Sequence, residues 1–425
     1  MKFQTLKNKL FFIFLILSSI TFFMVFLKSS ISPLFGLYKD FFCFSILSLS
    51  LLNGRIKLGG GAALILMTIF IINSLISVFF SEMYNSLPPF NYLYEFKIVL
   101  FYFILILAIN GLCNTEDAII KNIKVAINIF AFFSFINIIL SILQRHYFHD
   151  IIGVFGFNSS TDARDSFGSE NNIVIQTQNG LFRSIGSFSA PMVLAEYLMF
   201  SAFFFSIKMK RLYYKLAWFS LCSIGVYYTS YKTVLMYLPA VAIMIFANYK
   251  YMKLTTSMSG ALLLGFGLLA THTDIIYNIA NPISPLYAEY SILFRIEFLY
   301  KVFNQMNNAW QLIFGVGYGY NGGFLGYFEQ SVPLDSIYIW LLSNYGLCGV
   351  LLFIVFLVFL YNYNPFNADN QAQRLFYSCK YYLILVLCGN FFWNNLIINF
   401  PSLLFPVVFI VLFYNLSKFE INKSL

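Results

Sequence analysis

The chain is a succession of long apolar runs separated by polar seams. A helix needs about 20 apolar residues to cross the hydrocarbon core of a bilayer. On that ruler the pattern predicts twelve spans, near 10–27, 34–52, 60–80, 93–112, 121–143, 191–207, 212–229, 233–248, 254–270, 337–361, 377–394 and 398–416. Most connections are short, with two exceptions. One loop runs from Gln144 to Ala190, 47 residues, and the other from Thr271 to Asp335, 65 residues. Loops of that length in a compact protein usually carry function. The expected architecture is all-α: a single polytopic membrane domain over 1–425, with about twelve transmembrane helices and two long loops carrying short amphipathic helices.

Composition narrows the class further. Hydrophobic residues make up 60% of the 425 and charged residues 10%, where a soluble domain carries about 25% charged. Mean hydropathy is +0.77. This excludes a secreted, cytosolic or nucleic-acid-binding protein, and the net charge of +9 is read as topology. With the N-terminus in the cytoplasm, 17 of the 26 lysines and arginines fall on cytoplasmic segments, among them Lys208, Lys210, Arg211 and Lys215. That is the excess the positive-inside rule expects. Both termini then face the cytoplasm and both long loops lie outside. Lys2, Lys7 and Lys9 precede the first apolar run as in a signal peptide, but no small-residue cleavage site follows, so the run is read as a retained helix. The six cysteines form no CxxC pair and are read as small buried hydrophobes rather than a disulfide framework or a zinc site.

Four segments hold candidate chemistry. In the first, Arg183 precedes a small-residue turn, Ser184-Ile185-Gly186, and Pro191 opens the sixth span, with Glu196 inside it. An arginine there suits a phosphate, or lipid headgroups. Glu196 is costly in lipid and must be paired or in a cavity, with Arg183 as one partner to consider. In the second, apolar residues recur at helical spacing over Tyr290–Lys301, an amphipathic surface helix whose Arg295 either binds phosphate or pairs with a nearby glutamate. In the third, Gly315-Val316-Gly317-Tyr318-Gly319-Tyr320 has glycine-loop spacing. It lacks the strand of a nucleotide-binding unit, so a tight turn in which aromatics pack against sugar or membrane fits better. In the fourth, Asp335 stands at the mouth of the tenth span, followed by Tyr338. Asp335 suits a general base for an acceptor hydroxyl, or an N-cap.

Three other charged groups carry less. His146, His149 and Asp150 form an HxxHD cluster, but no third Cys or His ligand lies nearby, so packing is preferred to a metal site. Lys39-Asp40 and Glu95/Lys97 are intramembrane charges, read as self-paired or snorkelling to an interface.

Together these segments resemble the O-antigen polymerase and O-antigen ligase superfamily, the Wzy-type bacterial membrane glycosyltransferases. The likeness covers roughly 181–350. It rests on Arg183 with Ser184-Ile185-Gly186 and Pro191, on Arg295 in the large outer loop, and on Gly315-Val316-Gly317-Tyr318-Gly319 followed by Asp335-Ser336-Ile337-Tyr338 and Gly346. Ligases of the superfamily usually have His-Asn where this chain has Asp335-Ser336, which favours a polymerase. The resemblance implies an enzyme of the inner membrane that joins oligosaccharide repeat units carried on undecaprenyl pyrophosphate, without metal or cofactor. It implies Arg183 and Arg295 on the pyrophosphate and Asp335 on the acceptor. Tyr318, Tyr320 and Tyr338 would meet sugars, with Glu196 beside the substrate. Expected partners are the lipid-linked oligosaccharide, membrane lipids and a polysaccharide chain-length regulator, and no nucleic acid. The alternatives are an O-antigen ligase, or a flippase for the same lipid. A flippase would be expected to place its charges in a central cavity and keep its outer loops short.

Overall fold

In hydrocarbon a backbone must satisfy its own N–H and C=O groups, and an apolar chain does so as helices. The computed structural model describes residues 2–52, 61–85, 89–113, 115–153, 177–178, 181–246, 251–269, 291–322, 332–334, 336–365 and 371–417. In order these form α1 (Lys2–Ser19), α2 (Thr21–Ser30), a 3-10 turn (Pro33–Leu37), α3 (Tyr38–Leu52), α4 (Gly61–Asn85), α5 (Pro89–Leu112) and α6 (Glu116–Gly153). The strands β1 (Thr177–Gln178) and β2 (Leu181–Phe182) follow, then α7 (Pro191–Lys208), α8 (Leu212–Thr229), α9 (Lys232–Phe246), α10 (Met252–Leu269) and α11 (Ser291–Asn304). The chain ends in α12 (Ala309–Phe314), α13 (Ile337–Asn362), α14 (Gln371–Asn390) and α15 (Leu404–Ser417).

Each of the twelve apolar segments overlaps a helix, and 212–229 coincides with α8, but 10–27 covers two helices and the turns over 391–403 interrupt the last two segments. Among the described residues five helices are long and apolar enough to cross a membrane alone, in α3, α4, α6, α7 and α13. The number is six if α1 and α2 count as one broken span. That pair is bent by 85° at Ile20, where the backbone leaves helical geometry, so the first run is two helices rather than a straight rod. Among the described residues the chain is thus an all-helical membrane protein apart from one two-residue ladder.

α7 and α14 lie at the centre. Fifteen of the eighteen residues of α7 are buried, so it meets other helices on every side. Aromatic rings join it to α6 and α15: Phe204 stacks on Phe409 at 4.4 Å and Phe130 on Phe205 at 5.3 Å. Offset ring pairs of this kind add to the dispersion energy of close packing, which must hold helices together where surrounding lipid is equally apolar.

The glycine-rich turn after α12 has a packing role. α13 is broken at Gly346, with φ +61° and ψ −155°, and the turn enters that break. A Cβ on Gly315 would lie 2.5 Å from the Ser343 carbonyl oxygen, and one on Gly346 2.5 Å from the Ile313 backbone. Only glycine allows both the positive φ and this approach. Val316 N–H then donates to Ser343 O at 2.8 Å, and the Ser81 hydroxyl of α4 donates to Tyr318 O.

Candidate functional site

Arg183 is placed by side chains that grip its neighbours. Thr177 pairs with Phe182 and Gln178 with Leu181 across the ladder, and Arg183 comes next. Gln144 of α6 accepts the N–H groups of Ile185 and Gly186 at 3.0 and 2.8 Å and donates to Gly186 O at 2.9 Å. Asn137, two turns back, accepts from Ser187 N–H at 2.7 Å. One amide thus satisfies three backbone groups that a buried turn would otherwise leave unpaired. Pro191 then opens α7 after Ala190 in extended geometry, as a proline at a first helical position allows.

Two cations come within electrostatic reach of each other here, and a third anchors the residue before Arg183. Arg183 Nε donates to Thr229 O at 3.0 Å, and Arg145 Nη1 to Phe182 O at 2.6 Å. Lys232, the first residue of α9, lies within electrostatic reach of Arg183. Burial holds the Arg183 guanidinium below its ordinary value, with Tyr231 opposing. Like charges brought this close repel, and the arrangement favours an arriving anion.

Behind the cations a hydrogen-bonded chain runs inward. Tyr231 Oη donates to Asn390 Oδ1 at 3.2 Å, and Asn390 Nδ2 donates to Glu196 Oε1 at 3.1 Å. The Tyr237 hydroxyl donates to Glu196 Oε2. Asn394 Nδ2 donates to Thr233 Oγ1 at 2.7 Å. Glu196 is only 2% exposed, and a carboxyl so placed needs these donors. Both donors to Glu196 are neutral side chains, and Tyr231, which acts electrostatically on Arg183, is joined to Glu196 through Asn390. Sequence reasoning missed Arg145, Tyr231, Lys232, Tyr237 and Asn390. The one available signal was Tyr-Lys-Thr at the start of a span, a polar cluster where the apolar run resumes.

The other predicted residues are dispersed. Tyr318 is fully buried; its hydroxyl meets that of Tyr345, and its ring lies edge-on to Tyr345 at 5.3 Å and Phe96 at 6.4 Å. Packing occupies the ring on which a sugar would stack. Tyr338 is flanked by Phe391 and Phe392 at 5.5 and 5.4 Å. Tyr320 is partly buried, and that burial raises its hydroxyl. Arg295 lies on α11, but its side chain, like all of Asp335, lies outside the described residues. Glu297, a candidate partner for it, pairs with Lys301 at 2.6 Å. The N-cap of α13 is Ser336, whose hydroxyl accepts Ile339 N–H at 3.1 Å, so the capping role considered for Asp335 is filled by its neighbour.

His146 packs edge-on against Tyr228 at 5.8 Å; the side chains of His149 and Asp150 lie outside the described residues. No cluster of three His, Cys, Asp or Glu residues occurs among the described ones, and the six cysteines are free thiols. The intramembrane charges pair across helices: Lys97 meets Asp40 at 2.8 Å, and Lys39 lies over the rings of Phe101 and Phe400 at 5.0 and 4.9 Å.

Compared with protein-family models, curated proteins and solved structures, the chain finds no match.

Proposed function

We propose that the protein is an O-antigen polymerase of the inner membrane, a glycosyltransferase with a lipid-pyrophosphate donor. The observation that carries this reading is the proximity of Arg183 and Lys232 near the starts of α7 and α9, with Arg145 anchoring the residue before Arg183 and the Tyr231–Asn390–Glu196 chain behind them. On the twelve-span topology with both termini cytoplasmic, that cluster faces outward.

A hydroxyl of one repeat unit attacks the anomeric carbon of a second, lipid-linked chain. The carbon–oxygen bond to phosphate breaks, and undecaprenyl pyrophosphate leaves with the electron pair. Arg183 and Lys232 stabilise the negative charge that grows on it, and fixed cations in a water-poor site do this at little reorganisation cost. Arg295 is assigned to the same pyrophosphate and Asp335 to the acceptor proton, both on the sequence resemblance. Glu196 holds Asn390, and through it Tyr231, in place beside the cations. A lipid-linked oligosaccharide is the substrate, and a chain-length regulator is the expected protein partner.

The test is a gel of surface polysaccharide from a deletion strain, with and without the restored gene. Core capped by a single repeat unit in the deletion, and a ladder on restoration, supports the polymerase. Bare core in the deletion overturns it. Accumulated long lipid-linked polymer would then point to a ligase, and accumulated single units to a flippase.

A further inference from the structure

A second region, on other helices, carries polar groups that the proposed reaction does not use. A cavity of about 320 Å³ lies between α4, α5, α13, α14 and α15. Its walls are almost wholly apolar, with Phe70, Phe103, Leu352, Leu387 and Val407 among them. Two further lining residues, Tyr102 and Trp340, bear a buried hydroxyl and a buried indole N–H with no hydrogen-bond partner among the described residues.

The deficit continues one turn away on the same helices. Asn73 follows Phe70 by three residues and Asn344 follows Trp340 by four, so each lies on the helix face of the lining residue. Neither amide of these two finds a partner for its oxygen or its nitrogen, and the Ser77 hydroxyl finds none either. Ring contacts tie the faces together: Phe70 lies 5.1 Å from Tyr345 and 5.8 Å from Phe103, and Trp340 lies 5.4 Å from Tyr345. Asn344 and Ser77 are fully buried, Trp340 is 1% exposed and Asn73 4%. Seven polar atoms on five side chains thus lack partners among the described residues, two of them on the cavity wall and five one or two helix turns from a wall residue.

Buried polar groups are nearly always paired, and hydrocarbon offers them no water. What would pair them is set by their chemistry. An indole N–H only donates, so it needs an acceptor; carboxamides and hydroxyls both donate and accept. All five side chains are neutral. The complement is a head that has both hydroxyl and carbonyl oxygens and no net charge, on a hydrocarbon chain that fills the rest of the cavity. We propose that this cavity binds a neutral acylglycerol, its chain between α5, α13 and α14 and its glycerol oxygens against Tyr102 and Trp340, on the side from which Asn73 and Asn344 can be reached. The site is independent of the Arg183 cluster and of the polymerase reading.

Trp340 supplies the probe. The chain has four tryptophans, so Trp218→Phe, Trp310→Phe and Trp393→Phe leave Trp340 as the only one. The full-length protein is placed in unbrominated nanodiscs, and monoacylglycerol brominated on its chain is added. The expected result is quenching that saturates at about one lipid per chain. Asn344→Leu should weaken binding at least tenfold, and Leu387→Phe, which fills the cavity, should remove saturation even if Asn344→Leu fails to insert. Chain-brominated phosphatidylcholine should quench only in proportion to its mole fraction. Equal, unsaturated quenching by both lipids, or saturation unchanged in Leu387→Phe, would overturn the proposal.

Discussion

Two sets of basic side chains in this protein differ in their neighbours. Lys7 and Lys380 are buried and donate to carbonyls at helix ends. Lys7 Nζ donates to Gly111 O at 2.7 Å, near the C-terminus of α5. Lys380 Nζ donates to Tyr361 O and Tyr363 O at 3.2 and 2.9 Å, at the end of α13, with the rings of Tyr377 and Tyr381 beneath it at 4.8 and 4.7 Å. Carbonyls at a helix C-terminus lack intrahelical donors and carry partial negative charge, so a lysine there is structural. Arg183 and Arg145 also donate to carbonyls, Thr229 O and Phe182 O, but Arg183 has in addition Lys232 within electrostatic reach, a like charge whose repulsion an arriving anion would offset. The lesson is that neither burial nor a carbonyl partner distinguishes a structural cation from a functional one; a second cation close by does.

The largest expected effect separates the two sets by activity. Arg183→Ala should lower the rate of polymer formation about 100- to 1,000-fold, the usual result of removing one group that stabilises developing charge. Protein level and melting temperature should stay near wild type; a normal polysaccharide ladder from correctly inserted protein would remove Arg183 from the reaction. The reciprocal change is Lys380→Met. It leaves two helix-end carbonyls without a donor, at about 1–3 kcal/mol each, so the melting temperature in detergent should fall by several degrees. If it does not, the structural reading of the buried lysines is wrong.

A binding measurement sharpens the contrast. Inorganic pyrophosphate should raise the melting temperature of wild type, as any ligand selective for the native state does. It should not do so for Arg183→Ala, while Lys380→Met should keep the shift from its lower starting point. Smallest is the effect of Lys232→Ala without anion. Relief of repulsion should stabilise the protein by about 0.5–1 kcal/mol while weakening polymer formation, as expected where a strained site serves function. Loss of stability in that variant would mean that Lys232 belongs with Lys7 and Lys380.

The candidate site was legible only where its residues were neighbours in sequence. Arg183, the small-residue turn and Pro191 lie within nine positions, and both the turn and the helix start followed from them. Glu196 could be recognised as a buried acid, but its partners could not. Tyr237 is 41 residues away and Asn390 is 194, and a lone tyrosine or asparagine in an apolar run gives no pairing signal. Tyr318 failed as a sugar platform for a related reason. The glycine spacing fixes a tight turn, but whether the turn opens outward or folds into a broken helix depends on the glycine at 346, thirty-one residues beyond Gly315.

What the sequence determined by itself is the membrane class and the helical positions, because apolar run length and backbone self-satisfaction are local requirements. The tertiary structure alone decided the 85° bend between α1 and α2 and the break in α13 at Gly346. It also decided which carbonyls each buried cation meets and that Lys232 comes within electrostatic reach of Arg183. Those outcomes depend on which helix faces meet, and packing between helices in lipid is governed by shape and hydrogen bonding rather than by hydropathy.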